Sequence, residues 1–276
     1  MLIKNKSIIL TIILTIYIEA NQRIVALSPA INEIIYALDR GDMIVANTEY
    51  CNYPLASKNK YKVGGYFSVS MERILKAKPS LVIMQKNNQK LATRLERFNI
   101  KSKIIRINRL RDIKDTILTM GDLLNNNIKA NSIINSINKK LKETQNIIQN
   151  KKILIVIGEY TTILKGVFVV GNNLYLDDII KQSGNQNAFK SSRVGQPILN
   201  LENILATKAD IVIILAPYLY QNSMTKDDIL TPWQNIPLPA SKNKNIFIID
   251  KDYAGVSSDR LVLFLEDFKN ILKESN

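Results

Sequence analysis

Met71-Glu-Arg-Ile-Leu-Lys-Ala-Lys-Pro-Ser-Leu-Val-Ile83 and Leu201-Glu-Asn-Ile-Leu-Ala-Thr-Lys-Ala-Asp-Ile-Val-Ile213 are two copies of one pattern. At a constant offset of 130 residues, six of thirteen positions are identical: Glu72/Glu202, Ile74/Ile204, Leu75/Leu205, Lys78/Lys208, Val82/Val212 and Ile83/Ile213. Each copy reads as a short helix feeding a buried strand, with Ser70 or Asn200 as the N-cap. The glutamate then falls in the first helical turn, where the helix dipole favours a carboxylate. An internal repeat at this spacing predicts two similar lobes.

The sequence around the repeat supports the same division. Short β-branched runs alternate with helical patterns: Ile24–Leu27, Ile44–Ala46, Leu81–Met84 and Lys103–Ile105 read as strands, with helices near 30–38, 70–77 and 88–98. Ser28-Pro29 is an N-cap and first-turn pair. A second series contains Ile153–Ile157, Asp210–Ile214 and Ile246–Ile249, closed by an amphipathic helix over about 257–273. Strands alternating with helices indicate βαβ units and largely parallel sheets. Between the series, 128–149 carries apolar residues at 133, 134, 137, 141, 147 and 148, a helical rhythm. Twenty-two helical residues span roughly 33 Å, enough to bridge two small lobes.

The N-terminus has the form of an export signal. Lys4 and Lys6 precede an apolar run from Ser7 to Ile18, and Glu19-Ala20 leads into polar Asn21-Gln22-Arg23. The run is short for a bilayer span of about 20 residues, so cleavage near Ala20 is expected; the alternative is an uncleaved membrane anchor. The expected organisation is a signal over 1–20, an N-terminal α/β lobe over 21–127, a connecting helix over 128–150 and a C-terminal α/β lobe over 151–276.

Composition narrows the function. The 276 residues carry 38 Lys+Arg against 24 Asp+Glu, a formal charge of +14. Yet Ile, Lys and Asn together fill 101 positions, and Lys outnumbers Arg 28 to 10, so the charge reads as a whole-chain bias rather than a nucleic-acid patch. A single Cys excludes an internal disulfide, and the absence of His excludes His-based triads and His-containing zinc sites. No Gly-x-Ser-x-Gly, Walker A or Gly-x-Gly-x-x-Gly motif is present. The pairs Asp177-Asp178 and Asp227-Asp228 lie at expected helix starts, where capping explains them.

Three segments of the N-terminal half carry a family resemblance: Arg23-Ile-Val-Ala-Leu-Ser-Pro-Ala-Ile-Asn-Glu33, Asn47-Thr-Glu-Tyr-Cys-Asn-Tyr-Pro54 and Val63-Gly-Gly-Tyr-Phe-Ser-Val-Ser-Met-Glu72. Asn187-Ala-Phe-Lys-Ser-Ser-Arg-Val194, the Glu202 copy of the repeat, Asp252-Tyr253 and Arg260-Leu-Val262 carry it through the C-terminal half. In order and spacing the chain resembles the iron-chelate/vitamin B12 substrate-binding proteins of ABC importers. The resemblance implies a class III periplasmic binding protein fold, with two Rossmann-like α/β lobes on one rigid helix, a monomer, and a ligand held in the cleft without catalysis. It also implies that Glu72 and Glu202 dock the lobes onto arginines of a permease dimer in the inner membrane. Residues alone leave open that both glutamates merely cap helices.

In open α/β sheets the ligand site lies beyond the carboxyl ends of the strands. The loops expected there hold Tyr50, Tyr53, Tyr66, Phe67, Tyr160, Tyr218, Tyr220 and Tyr253, flat rings suited to a corrin, a haem or an aromatic siderophore. Against the vitamin B12 receptors of the family, Tyr50 and Tyr66 fall where an aromatic contacts the corrin, while Gln85 and Gln196 stand where those receptors carry tryptophan. Haem receptors of the family place a tyrosine ligand near Tyr66, the one candidate metal contact. Arg193 and Arg260 are candidates for neutralising an anionic chelate, or for a salt bridge tying loop to lobe. The expected ligand is cobalamin or an iron chelate. The competing readings are an exported α/β enzyme and a ligand-sensing receptor without transport.

Overall fold

The computed structural model describes residues 22–191 and 195–275. The expected signal and Arg193 lie outside the described residues. The first half runs β1 (Ile24–Ala26), α1 (Pro29–Ala37), β2 (Ile44–Asn47), β3 (Tyr61–Lys62), α2 (Met71–Lys76), β4 (Leu81–Gln85), α3 (Gln89–Glu96) and β5 (Lys101–Ile105). Its five strands form one wholly parallel sheet in the order β3-β2-β1-β4-β5. Two helices follow, α4 (Leu110–Leu123) and α5 (Asn127–Glu143).

The second half contains β6 (Lys152–Ile157), β7 (Val167–Val169), α6 (Tyr175–Gln182), β8 (Gln186–Asn187), β9 (Ile198–Leu199), α7 (Leu201–Thr207) and β10 (Ile211–Leu215). It closes with α8 (Lys226–Gln234), α9 (Pro239–Lys242), β11 (Ile246–Ile249) and α10 (Leu261–Glu274). The sheet order is β11-β10-β6-β7-β9, with β8 beside β6. Strands β6, β10 and β11 are parallel, but β7 runs antiparallel to both β6 and β9. The reason is connection length: only residues 158–166 separate β6 from β7, too few for the helical crossover that a parallel neighbour requires.

The repeat survives as geometry. Ser70 Oγ accepts from Arg73 N at 3.3 Å, and Asn200 Oδ1 accepts from Asn203 N at 2.9 Å. Lys78 and Lys208 take the same left-handed turn, φ 47° and 49°, between helix and strand. Burial follows the same order in both copies, with Ile74 and Ile204 turned into the core while Glu72 and Glu202 are exposed.

Alternation along the strands sorts side chains between three cores. Val25 and Leu27 enter a cluster on the outer face of the first sheet, and Leu154, Val156, Val212 and Ile214 enter one on the outer face of the second. Their neighbours Ile24, Ala26, Ile153, Ile155, Ile211 and Ile213 point the other way, into a single cluster that also takes in α1, α4, α5, α6 and α10. The two lobes therefore share one continuous core.

The link between the sheets differs from a single helix over 128–150. It is α4, a break at Leu124–Asn126 where Asn125 has φ 53°, and α5, which ends at Glu143. Beyond it, Thr144 Oγ1 donates to Leu141 O at 2.7 Å, and Asn146 and Asn150 both sit at φ 60°. Tightened bonds end the helix, Thr144 N donating to Leu141 O at 3.1 Å and Gln145 N to Lys142 O at 3.2 Å, and the left-handed Asn146 follows, although Ile147 and Ile148 keep the apolar rhythm. Helix α10 packs along α5 through a network in which Lys140 and Lys269 both pair with Glu143 and Glu266. Among the described residues, no helix is long and apolar enough to cross a membrane.

Candidate functional site

Strands β1, β4, β5, β6, β10 and β11 all direct their carboxyl ends towards one cavity of about 430 Å³ between the sheets. The first sheet contributes the start of α1 at Ser28–Ala30, Tyr66, Gln85, and the Ile107-Asn108 segment after β5. The second contributes Gly158-Glu159 after β6, Leu174–Leu176 before α6, Gln196, Pro217-Tyr218 after β10, and Asp252 with 254–257 after β11. The wall is mainly apolar, with Ile107, Ile157, Val170 and Leu215 among its surfaces.

Three phenols lie against this space. Tyr66 donates to Gln85 Oε1 at 2.8 Å, and burial raises its pKa. The loop that carries it is fixed by Gly64, at φ 116°, where a Cβ would stand 2.3 Å from Ser68 O. Tyr218 is anchored through its backbone N–H, which donates to Glu159 Oε1 at 2.7 Å. Burial, then the Glu159 carboxylate and the Tyr50 phenol, raise the Tyr218 pKa. Tyr175 is the phenol the sequence reading missed, and burial pushes its pKa far up. Among the described residues, the charged side chains that line the cavity are Glu159 and Asp252, with no Lys or Arg.

The remaining expected residues divide. Tyr50, 57% exposed, stands at the rim, and Phe67, 84% exposed, packs edge-on against Tyr66 at 4.7 Å between ring centroids. Tyr160 and Tyr253 do not line the cavity. The Tyr160 hydroxyl accepts from Phe168 N at 3.1 Å and its ring packs on the second sheet's outer core; the Tyr253 hydroxyl donates to Asp267 of α10 at 2.7 Å. Arg260 is buried, paired through Nη2 and Nε with Glu33 of α1 at 2.5 and 3.0 Å and through Nη1 with Asp252 at 2.8 Å. Its guanidinium lies 3.8 Å from the centroid of the Tyr53 ring. The salt-bridge alternative is the one realised: Arg260 ties the segment before α10 to the first lobe.

A second tie flanks the cavity on the opposite side. Arg109, at the start of α4, forms a bidentate ion pair with Asp178 of α6, and Leu110 N donates to the same carboxylate at 3.0 Å. Asp177 Oδ2 accepts from Asn173 N at 2.9 Å and from Lys181 at 2.8 Å, so both acids of this pair have structural work. Asp228 caps α8 through Thr225.

The rim loop carrying Tyr50 and Tyr53 is organised by Lys62. Its ammonium donates to Asn47 Oδ1 at 2.8 Å and to the backbone oxygens of Ser57, Cys51 and Thr48 at 3.1, 3.3 and 3.4 Å. Lys62→Met should leave these acceptors short of a donor and cost about 1–3 kcal/mol, read as a lower urea midpoint with an unchanged slope. A midpoint unchanged from wild type would show that water replaces the ammonium.

Glu72 and Glu202 are exposed, and each lies in the first turn of a short helix that returns directly into a parallel strand. Helix and strand must then run antiparallel, so both glutamates stand at the cleft end of their lobes. Among the described residues, no group of three or more His, Cys, Asp or Glu side chains could hold a metal ion.

A family model described as periplasmic binding protein matches residues 24–253. A vitamin B12-binding protein of Vibrio vulnificus (strain CMCP6) is 24% identical over 254 residues, covering 89% of this chain and 88% of that protein. Among solved structures, the periplasmic haem-binding protein BhuT in complex with two haems aligns with a TM-score of 0.76 at 18% identity, covering 92% of this chain and 98% of its own. The periplasmic vitamin B12-binding protein BtuF of Vibrio cholerae aligns with a TM-score of 0.75 at 19% identity, covering 92% and 97%.

Proposed function

We propose, because this chain belongs to the periplasmic binding protein family, that it captures a corrinoid between its lobes and delivers it to the permease of an ABC importer. The observation that carries the ligand class is the charge of the cavity wall: phenols, amides and two carboxylates on an apolar ground, with no cation among the described residues. A polyanionic ferric siderophore, or a haem seated with its carboxylates inward, would bring its charge against Glu159, which has no ion-pair partner among the described residues, and against Asp252, whose cation Arg260 is already shared with Glu33. A corrin ring edged with neutral amides would instead pair with Gln85, Gln196, Asn108 and the two acids, while its faces contact Tyr66, Tyr175 and Tyr218. Gln85 and Gln196 in place of tryptophan then exchange stacking area for hydrogen bonds. The function is binding without chemistry by an exported monomer freed of residues 1–20, and no metal ligand is required of the protein.

Visible-absorption and calorimetric titration with cyanocobalamin, haemin and a ferric catecholate tests this. Saturable one-to-one binding of cyanocobalamin, tighter than either iron compound, is the expected result. Tighter binding of haemin would favour the iron-chelate reading, with Tyr66 or Tyr218 as the oxygen ligand.

Delivery is assigned to Glu72 and Glu202, docking on arginines of the permease by charge-assisted pairing. Reversing both charges, Glu72→Arg with Glu202→Arg, should lower permease-dependent uptake about tenfold or more while leaving ligand affinity in solution unchanged. Undiminished uptake would leave the two glutamates as helix caps; no uptake dependent on the wild-type protein would favour a receptor that senses without transport.

A further inference from the structure

The central cavity opens sideways, on the first-sheet side, into a groove of about 610 Å³. Tyr66, Gln85, Ile107 and Asn108 line both, so the two form one continuous space. Their charge is opposite. The cavity wall carries two acids, whereas the groove carries Lys86, Arg106 and Arg109 against the single acid Asp112. Arg109 is held by Asp178, and Asp112 accepts the Arg109 backbone N–H at 3.0 Å. Lys86 and Arg106 have no ion-pair partner among the described residues.

The sheet brings these two cations to one place. Gln85 of β4 pairs in parallel with Ile105 of β5, and the chain leaves both strands at the next residue, Lys86 opening a short 3-10 turn and Arg106 the loop to α4, so both cations stand at the carboxyl ends of adjacent strands and line one groove. Like charges gathered in one groove repel each other unless an anion lies between them. Whole-chain lysine bias does not account for the pair, since one member is among only 10 arginines in the sequence.

We propose that Lys86 and Arg106 form a subsite for an anionic arm, phosphodiester or carboxylate, of the ligand whose body occupies the central cavity. The inference rests on reading that cavity as the ligand site. The guanidinium supplies a planar fork and the ammonium a point charge, a combination that holds an oxyanion more firmly than either alone. Amides of Asn87, Asn108 and Asn173 around the groove complete its polar lining. The ligand class becomes specific: a neutral, amide-rimmed or apolar disc with an acidic appendage leaving it on one side.

Paired probes that differ only in the arm test this. Cobalamin carries a nucleotide phosphodiester that cobinamide lacks, and haem carries carboxylates that its dimethyl ester lacks. Wild type and the Lys86→Gln/Arg106→Gln variant are titrated with all four, with Lys90→Gln/Lys101→Gln as a control for general surface charge. The expected result is a loss of about 10–100-fold for the armed member of the pair that binds, no change for its unarmed partner, and no change in the control. Wild-type affinity for the armed member should also fall with added salt, and the variant's much less. Equal losses for both members, no loss for either, or an equal loss in the control overturns the subsite while the cleft reading stands. A wild-type protein that binds none of the four overturns the cleft reading and the subsite with it.

Discussion

Arg260→Ala should lower folding stability by about 3–5 kcal/mol, because it leaves the carboxylate of Glu33 buried without its partner. Glu33 is 3% exposed and Arg260 6%, so water cannot take over the lost contacts without opening the structure. The side chain makes two bonds to Glu33 and one to Asp252, and it covers the Tyr53 ring at 3.8 Å. Ser258 Oγ donates to the same Glu33 carboxylate at 2.5 Å, so one deletion disturbs a four-residue network joining α1 to the entry of α10. The measurement is a denaturant midpoint, with Arg260→Ala/Glu33→Gln as the companion. If the damage comes from the stranded charge, the second substitution should recover part of the loss. If the double variant is as unstable as the single one, packing of the guanidinium against Tyr53 carries the effect instead.

The same network bears on how the cleft moves. Arg260–Glu33 on one side and Arg109–Asp178 on the other cross between the lobes, over a core that is continuous through both sheets. Opening such a molecule requires exposing shared apolar surface or breaking a buried ion pair, so small displacements are expected, and weakening either pair should loosen ligand retention.

The repeat made much of this architecture legible before any coordinates. Glu72 and Glu202 at 130 residues' separation announced two α/β units, and both copies fold as helix, left-handed lysine and strand. Periodicity carries the connecting helix to 150 because Ile147 and Ile148 preserve a helical rhythm, while the end of α5 at Glu143 and the left-handed Asn146 depend on local backbone geometry that periodicity does not record. The antiparallel direction of β7 follows from the short connection over 158–166 rather than from composition.

Of the tyrosines on loops after strands, Tyr66 and Tyr218 line the cavity and Tyr160 and Tyr253 do not. Glu159 lines the cavity and Tyr160 does not; Asp252 and Ala254 line it and Tyr253 does not. Residues 252–254 form a turn, with Ala254 N donating to Lys251 O at 2.9 Å, and a loop assignment does not say which side chains of such a turn face the cavity. Tyr175 escaped because it opens a helix rather than following a strand. The Glu33–Arg260 contact joins residues 227 apart, beyond any local pattern.

Asp259→Asn should stabilise the protein at pH 8 by roughly 2–4 kcal/mol and do little at pH 4. Burial, with the Glu33 carboxylate adding to it, raises the Asp259 pKa from 3.8 to about 7. One carboxylate oxygen, Oδ1, is buried with no hydrogen-bond partner. Ionised Asp259 would make a third acid, after Glu33 and Asp252, around the single Arg260 guanidinium. Because the folded state holds this proton more tightly than the unfolded chain, the penalty is absent below about pH 4. It grows as the pH rises and is complete above about 7. Asparagine removes the ionisation and adds a donor beside Glu33, so the wild-type and variant stability curves should converge in acid and separate through neutrality. Urea midpoints at pH 4, 6 and 8 measure the separation; a gain independent of pH, or a loss at pH 8, would place the effect in shape rather than charge. Asp259 is covalently next to Arg260 and shares Glu33 with it, so the two substitutions should not add. In the Arg260→Ala background the guanidinium no longer offsets the acids, and Asp259→Asn should recover more stability there than in the wild-type protein.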